Sequence, residues 1–204
     1  MLIDINSYIG HWPFRKLVTT TCEEVIGRMN ATGVDMAVIS NINGIFYKDT
    51  QSANEELYHA IKASSVFTKR LLPMAVLNPI YNGWRQDFKT CIDEWKMKGI
   101  RLHPQYHGYT FDNEECITLA KMARDKGVPI TVSLRMVDSR PSSWLDISQE
   151  WTLKNILPLI KAVPDAKYMI LNMANANQFN VYDKETTELI RKTDMVFDTS
   201  GRMI

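Results

Sequence analysis

The sequence predicts an α/β fold of successive βα units, a TIM-type (β/α) barrel that is incomplete, with seven parallel strands and the eighth missing. Three observations point there. Seven short apolar runs recur along the 204 residues, at 2–5, 35–40, 72–78, 99–104, 128–135, 167–173 and 195–200. Their starts lie 33, 37, 27, 29, 39 and 28 residues apart, which leaves room for one helix between successive parallel strands. The runs are nearly continuous rather than alternating, as suits strands covered on both faces. Polar residues follow almost every run, as on the functional rim of a barrel, and Tyr8-Ile9-Gly10-His11-Trp12 is no glycine-rich phosphate loop. Barrels typically need about 250 residues, whereas this chain stops at Ile204, just past the seventh run. A barrel short of one strand has two open edges, a liability for pairing with another chain. A homo-oligomer is therefore compatible with the sequence.

The elements follow in order. Thr20 or Thr21 with Glu23 and Glu24 offers a capping box, and Val25, Ile26 and Met29 make a helical stripe that stops at Gly33. Ser52 or Asn54 is expected to cap a second helix bearing Leu57, Ala60 and Ile61. Phe88, Ile92 and Trp95 line a third, and Cys116, Leu119, Ala120 and Ala123 line a fourth, closed by Gly127. A fifth is expected from about 148 to 162, kinked or divided by Pro158. Thr186, Leu189 and Ile190 mark a short sixth. No linker or low-complexity tract interrupts the pattern, so residues 1–204 read as one domain.

The formal charge is +1, from 24 basic and 23 acidic residues, which implies neither a nucleic-acid nor an anionic-membrane partner. No apolar stretch approaches the roughly 18–20 residues of a membrane span, and the N-terminus has no signal-peptide pattern. Cys22, Cys91 and Cys116 are odd in number and far apart, each within a helical pattern. They read as reduced core thiols in the cytoplasm rather than as a disulfide framework or a metal site.

Several segments carry a resemblance. Met1-Leu-Ile-Asp-Ile-Asn-Ser-Tyr8 opens the chain, Asp35-Met-Ala-Val-Ile-Ser40 and Leu72-Pro-Met-Ala-Val-Leu-Asn-Pro79 follow, and Phe197-Asp-Thr-Ser-Gly201 lies near the end. Most specific is Lys98-Gly-Ile-Arg-Leu-His-Pro-Gln-Tyr-His-Gly-Tyr109. Together they resemble the amidohydrolase-related family of metal-dependent (β/α)-barrel enzymes. In that family the first strand reads Asp-x-His-x-His, and strands five and six usually end in metal-binding histidines. Here Asn6 and Tyr8 stand at the first two positions, with Ser133 and Asn172 at the others. The aspartate of an eighth strand would lie beyond Ile204. Neutral Asn and Ser are weak zinc ligands, so the resemblance comes without the usual metal centre, and no cofactor is expected.

Four groups of residues bear chemistry. Arg101 and His103 share a strand face by alternation, with His107 just beyond Pro104. Histidine titrates near neutrality, and arginine can grip a carboxylate bidentately. The plain alternative is that His103 only caps the barrel through a backbone hydrogen bond. His11 and Arg15 flank Trp12, Pro13 and Phe14, a loop suited to a small organic anion or merely to plugging the barrel mouth. Arg135, Asp138 and Arg140 follow the fifth strand, where arginines could bind a carboxylate or fix a loop. Asn172 and Asn175 follow the sixth, and Asp198 and Ser200 lie near the seventh. Asn6, Tyr8 and Asn172 could bind substrate or water where a metal would sit, or fill that space with satisfied polar groups.

The resemblance implies a hydrolase acting without a metal on a small carboxylated molecule, in the manner of lactonases known in that superfamily. His103 or His107 would be the general base, Arg101 the carboxylate or oxyanion binder, and Tyr8 a positioning group. Asn6, His11, Arg15, Arg135 and Asn172 would contact substrate. The alternatives are a non-catalytic binding or scaffold barrel and a fragment of a larger hydrolase.

Overall fold

Each apolar run becomes a strand in a computed structural model of the protein, which describes residues 1–138, 142–173 and 182–198. The strands are β1 (Ile3–Ile9), β2 (Met36–Asn41), β3 (Leu71–Val76), β4 (Gly99–Leu102), β5 (Ile130–Ser133), β6 (Lys167–Leu171) and β7 (Asp194–Phe197). Between them lie α1 (Cys22–Thr32), α2 (Thr50–Lys62), α3 (Ser65–Arg70), α4 (Trp84–Phe88), α5 (Pro104–His107), α6 (Glu114–Asp125), α7 (Leu153–Ala162) and α8 (Lys184–Lys192). Seven parallel strands alternating with helices in chain order are those of an incomplete TIM barrel. The chain forms two compact units, Met1–Arg101 and Leu102–Ile204.

In the first unit β1 pairs with β2, β2 with β3 and β3 with β4, all parallel. Cys22, Val25, Ile26 and Met29 of α1 pack with Ala37 and Ile39 of β2 and with Leu57 and Ile61 of α2. The α1 start matches expectation: the Thr21 side chain accepts the Glu24 N–H, and the Glu24 carboxylate accepts the Thr21 N–H. Bonds from the Thr20 N–H and hydroxyl, and then that from the Thr21 N–H, hold the Glu24 carboxyl below its ordinary range. Gly33 then closes the helix at φ 70°.

Other boundaries moved for local reasons. Asp49, not Ser52 or Asn54, caps α2, because its carboxylate reaches the Gln51 N–H at 3.0 Å. Asn54 is buried instead, its side chain bonded to both the N–H and the C=O of Val76. The third helix starts at Trp84 and widens into a π-helical stretch at Lys89–Glu94.

Asp87 sits half-buried at that junction, and burial first, then the neighbouring Asp49 charge, pushes its carboxyl up to about 6. A carboxyl whose proton is held more tightly folded than unfolded lowers stability as pH rises from about 4 to about 6. Asp87→Asn is expected to remove that loss. In urea unfolding at pH 4 to 7, the stability of the variant relative to wild type should climb across this window, and a flat difference would refute the assignment.

In the second unit β5 pairs with β6 and β6 with β7, again parallel. Helix α6 runs as expected behind an Asn113 cap, with Cys116, Leu119, Ala120 and Ala123 buried. Helix α7 starts at Leu153 rather than near 148, because Thr152 and Asn155 make a capping box there. It continues past Pro158 as one helix. All three cysteines are free and buried. Burial pushes the Cys22 thiol up to about 11 and those of Cys91 and Cys116 up to about 12, so they stay protonated and inert. Among the described residues no helix is long and apolar enough to cross a membrane.

Candidate anion-binding site

Strand β1 does not keep strict alternation. Asp4 lies opposite Ala37 and Ser7 opposite Ile39, so β1 carries one extra residue between them. The Asp4 carboxylate serves this bulge by accepting from the Asn6 N–H at 2.9 Å and the Ser7 hydroxyl at 2.7 Å. Bulges re-aim side chains and are frequent beside functional sites. Past the bulge, Tyr8 lies opposite Ser40 in register.

The Tyr8 ring lies beneath Arg101, whose guanidinium carbon is 4.5 Å from the ring centroid. Arg101 stands at the end of β4, paired in register with Val76, and is 0% exposed. Its Nη2 donates to the Ile5 carbonyl at 3.4 Å, a long and weak bond. Its Nε and Nη1 are buried and have no hydrogen-bond partner among the described residues. No described carboxylate forms an ion pair with it. The first unit thus holds a buried, permanently charged cation supported by one aromatic face and one carbonyl.

The loop after β1 is anchored by its own set of bonds. Gly10 adopts φ 93° and donates its N–H to the Thr20 carbonyl at 2.8 Å. The His11 N–H donates to Asn43 Oδ1 at 3.1 Å, while the Asn41 and Asn43 amides both donate to the Glu56 carboxylate. Trp12 is buried edge-on against Phe46, with ring centroids 5.0 Å apart. The side chains of His11 and Arg15 are exposed.

The second unit holds the histidines. His103 precedes α5 and is buried with both ring nitrogens inside. His107 ends α5, edge-on to His103 at 6.2 Å between centroids, and stacks on Tyr109 at 6.5 Å. Burial raises the Tyr109 phenol well above its ordinary range, and burial likewise pushes Tyr106 up to about 12, so both remain protonated donors. Arg135 is occupied by Glu150, 3.0 Å from its Nη1. Asn172 takes a left-handed φ of 57°. Its side-chain amide donates to the Arg135 carbonyl at 2.7 Å, and its N–H donates to the buried Asp198 carboxylate at 2.9 Å. These bonds tie together the ends of β5, β6 and β7. Asp138 is half-buried, and Arg140, Asn175 and Ser200 lie outside the described residues.

Residues that sequence reasoning did not single out are the Asn41–Asn43–Glu56 bracket and Glu150. The bracket had a signal, since two asparagines flank the end of a strand. Glu150 had none, being one acid in a polar loop.

In the first unit Asn6 and Tyr8 offer a neutral amide and a phenol, and in the second Ser133 and Asn172 offer an alcohol and another amide. Neither pair fits a catalytic zinc, which takes His, Cys or carboxylate. No group of three His, Cys, Asp or Glu that could hold an ion exists among the described residues.

No protein-family model matches the chain, and no curated protein sequence matches it. Solved structures do. The 4-oxalomesaconate hydratase of Rhodopseudomonas palustris superposes with a TM-score of 0.66 at 15% identity, over 98% of this chain and 74% of that one. A dihydroxybenzoic acid decarboxylase from a Polaromonas species, solved with bound manganese and the inhibitor 2-nitroresorcinol, matches with a TM-score of 0.61 at 11% identity, over 83% of this chain. A TIM-barrel protein from Bordetella bronchiseptica matches with a TM-score of 0.61 at 12% identity, over 96% of this chain and 74% of that one. The chain spans 64% of the Polaromonas decarboxylase's length and 65% of that of a Rhizobium 2,6-dihydroxybenzoate decarboxylase. At these identities the likeness is one of fold, that of the TIM-barrel decarboxylases and hydratases.

Proposed function

We propose that this protein acts on a small carboxylated molecule as an amidohydrolase-like barrel enzyme that uses no metal, with a lactone as the candidate substrate. The observation that carries the reading is Arg101, a fully buried guanidinium with no acidic partner among the described residues. Arginine cannot shed its charge, and an uncompensated buried cation costs several kcal/mol, about what an anionic ligand would return. The neighbouring folds support the substrate class: they include a 4-oxalomesaconate hydratase and a dihydroxybenzoic acid decarboxylase.

In this reading Arg101 grips the carboxylate or the developing oxyanion, and Tyr8 positions the substrate against it. An ester needs less electrophilic help than an amide, so fixed hydrogen-bond donors can suffice. His103 or His107 takes the proton of the attacking water. The hydroxide equivalent adds to the lactone carbonyl, the ring C–O bond breaks, and the histidine returns its proton to the leaving alkoxide.

The test is acid release from a panel of carboxylated lactones, with ortho-hydroxybenzoates as non-ester controls. Turnover that falls at least about 100-fold in His103→Ala, with an unchanged circular dichroism spectrum, supports the enzyme. Binding of panel members without turnover by wild type would replace it with the binding-protein reading.

A further inference from the structure

Asn6 and Tyr8 offer only a neutral amide and a phenol on β1, a poor match for a divalent ion, while Arg101 puts a fixed positive charge against the same strand. We propose that the Arg101 guanidinium, seated on Tyr8 and turned toward the Ile5 carbonyl, is the site's standing electrophile: an oxyanion receptor that takes the electrostatic place of a metal ion. This rests on the function proposed above and deepens it, by assigning the receptor and its ligand class: planar oxyanions, carboxylates first.

Three features carry the assignment. The charge is permanent, because guanidinium stays protonated across the working pH range. The fork has unused donors: each bidentate edge combines Nη2 with Nε or with Nη1, and only one Nη2 hydrogen is needed for Ile5. The support is uncharged, since the ring under the guanidinium and the carbonyl beside it attract the cation without neutralising it. A structural arginine spends its fork, as Arg124 does on Asp125 and Asp165 and as Arg70 does on the Asn30 side chain and the Val34 and Asp35 carbonyls. Among the described residues Arg101 leaves Nε and Nη1 without a hydrogen-bond partner and has no acid beside it.

The probe is nitrate, a planar oxyanion that no esterase activity consumes, with acetate as the carboxylate arm. Each is titrated into the full chain after exhaustive chelation, and binding is read from the shift in thermal midpoint at constant ionic strength. Wild type is expected to bind both with the chelator present, equally from pH 6 to pH 9, and added manganese or zinc should change nothing. Arg101→Met should weaken binding about 10- to 100-fold, the scale of charged hydrogen bonds. Arg101→Lys, which keeps the charge but not the fork, should lose less, and it serves as the readout if the methionine variant does not fold. Binding abolished by chelation, tightened by manganese or undiminished in both variants would overturn the receptor. Turnover of lactones has no part in this measurement, so the receptor can stand while the proposed reaction fails.

Discussion

Arg101→Met is expected to make the protein more stable, by about 1–2 kcal/mol, while removing its affinity for oxyanions. The reasoning rests on desolvation. Taking an ion out of water still costs several kcal/mol after relaxation, and replacing buried charge with apolar atoms of similar volume is often stabilising by about 1–4 kcal/mol. Against that gain stand the lost contact with the Tyr8 face, of order 1–2 kcal/mol, and one long hydrogen bond to Ile5. Methionine is flexible enough to refill the space. Urea unfolding of the two proteins without added anion measures the difference. A midpoint that falls in the variant by the equivalent of 1 kcal/mol or more would mark Arg101 as a structural residue and remove the basis of the proposed function.

Gly10→Ala is expected to cost about 2–4 kcal/mol and to disorder the entry to the loop bearing His11 and Trp12. At φ 93° an L side chain is strained, a penalty of order 1–2 kcal/mol. The added Cβ would also meet Asn41 Oδ1 at 2.4 Å and Asn43 Oδ1 at 2.9 Å. Asn41 cannot retreat cheaply: it is buried, accepts the Asn43 N–H, and donates to Ala53 and Glu56. Each of those bonds is worth about 1 kcal/mol. Equilibrium unfolding gives the loss, and the fluorescence of Trp12, buried against Phe46 in wild type, should shift toward that of a solvent-exposed indole. A variant as stable as wild type would mean that the chain passes Asn41 less closely than described.

What was legible in the sequence was what nearest neighbours along the chain decide. Seven apolar runs and the spacing between them determine a repeating parallel α/β fold, because a continuous apolar strand must be covered on both faces and a parallel neighbour needs a crossover. The Thr21–Glu24 box and the Gly33 stop follow from local hydrogen bonding and backbone freedom, which is why those boundaries could be read directly. The α2 cap could not: Asp49, Ser52 and Asn54 are all good capping residues, and the choice fell to Asp49 because Asn54 is used on the Val76 backbone of another strand.

The site divides in the same way. That Arg101 and His103 lie toward a strand end follows from strand position. Which cations keep their charge unspent did not. Arg101 and Arg135 look alike in sequence, each an arginine in an apolar run. Glu150 neutralises Arg135 across 15 residues of chain, whereas Arg101 meets a phenol ring and a carbonyl brought from 93 and 96 residues away. The β1 bulge was equally invisible, since the extra residue changes the phase of alternation only once β2 fixes the register. Identity and period are properties of the chain alone. The partner of a buried charge is decided only when distant segments pack, because desolvation and pairing depend on what the fold places within a few ångströms.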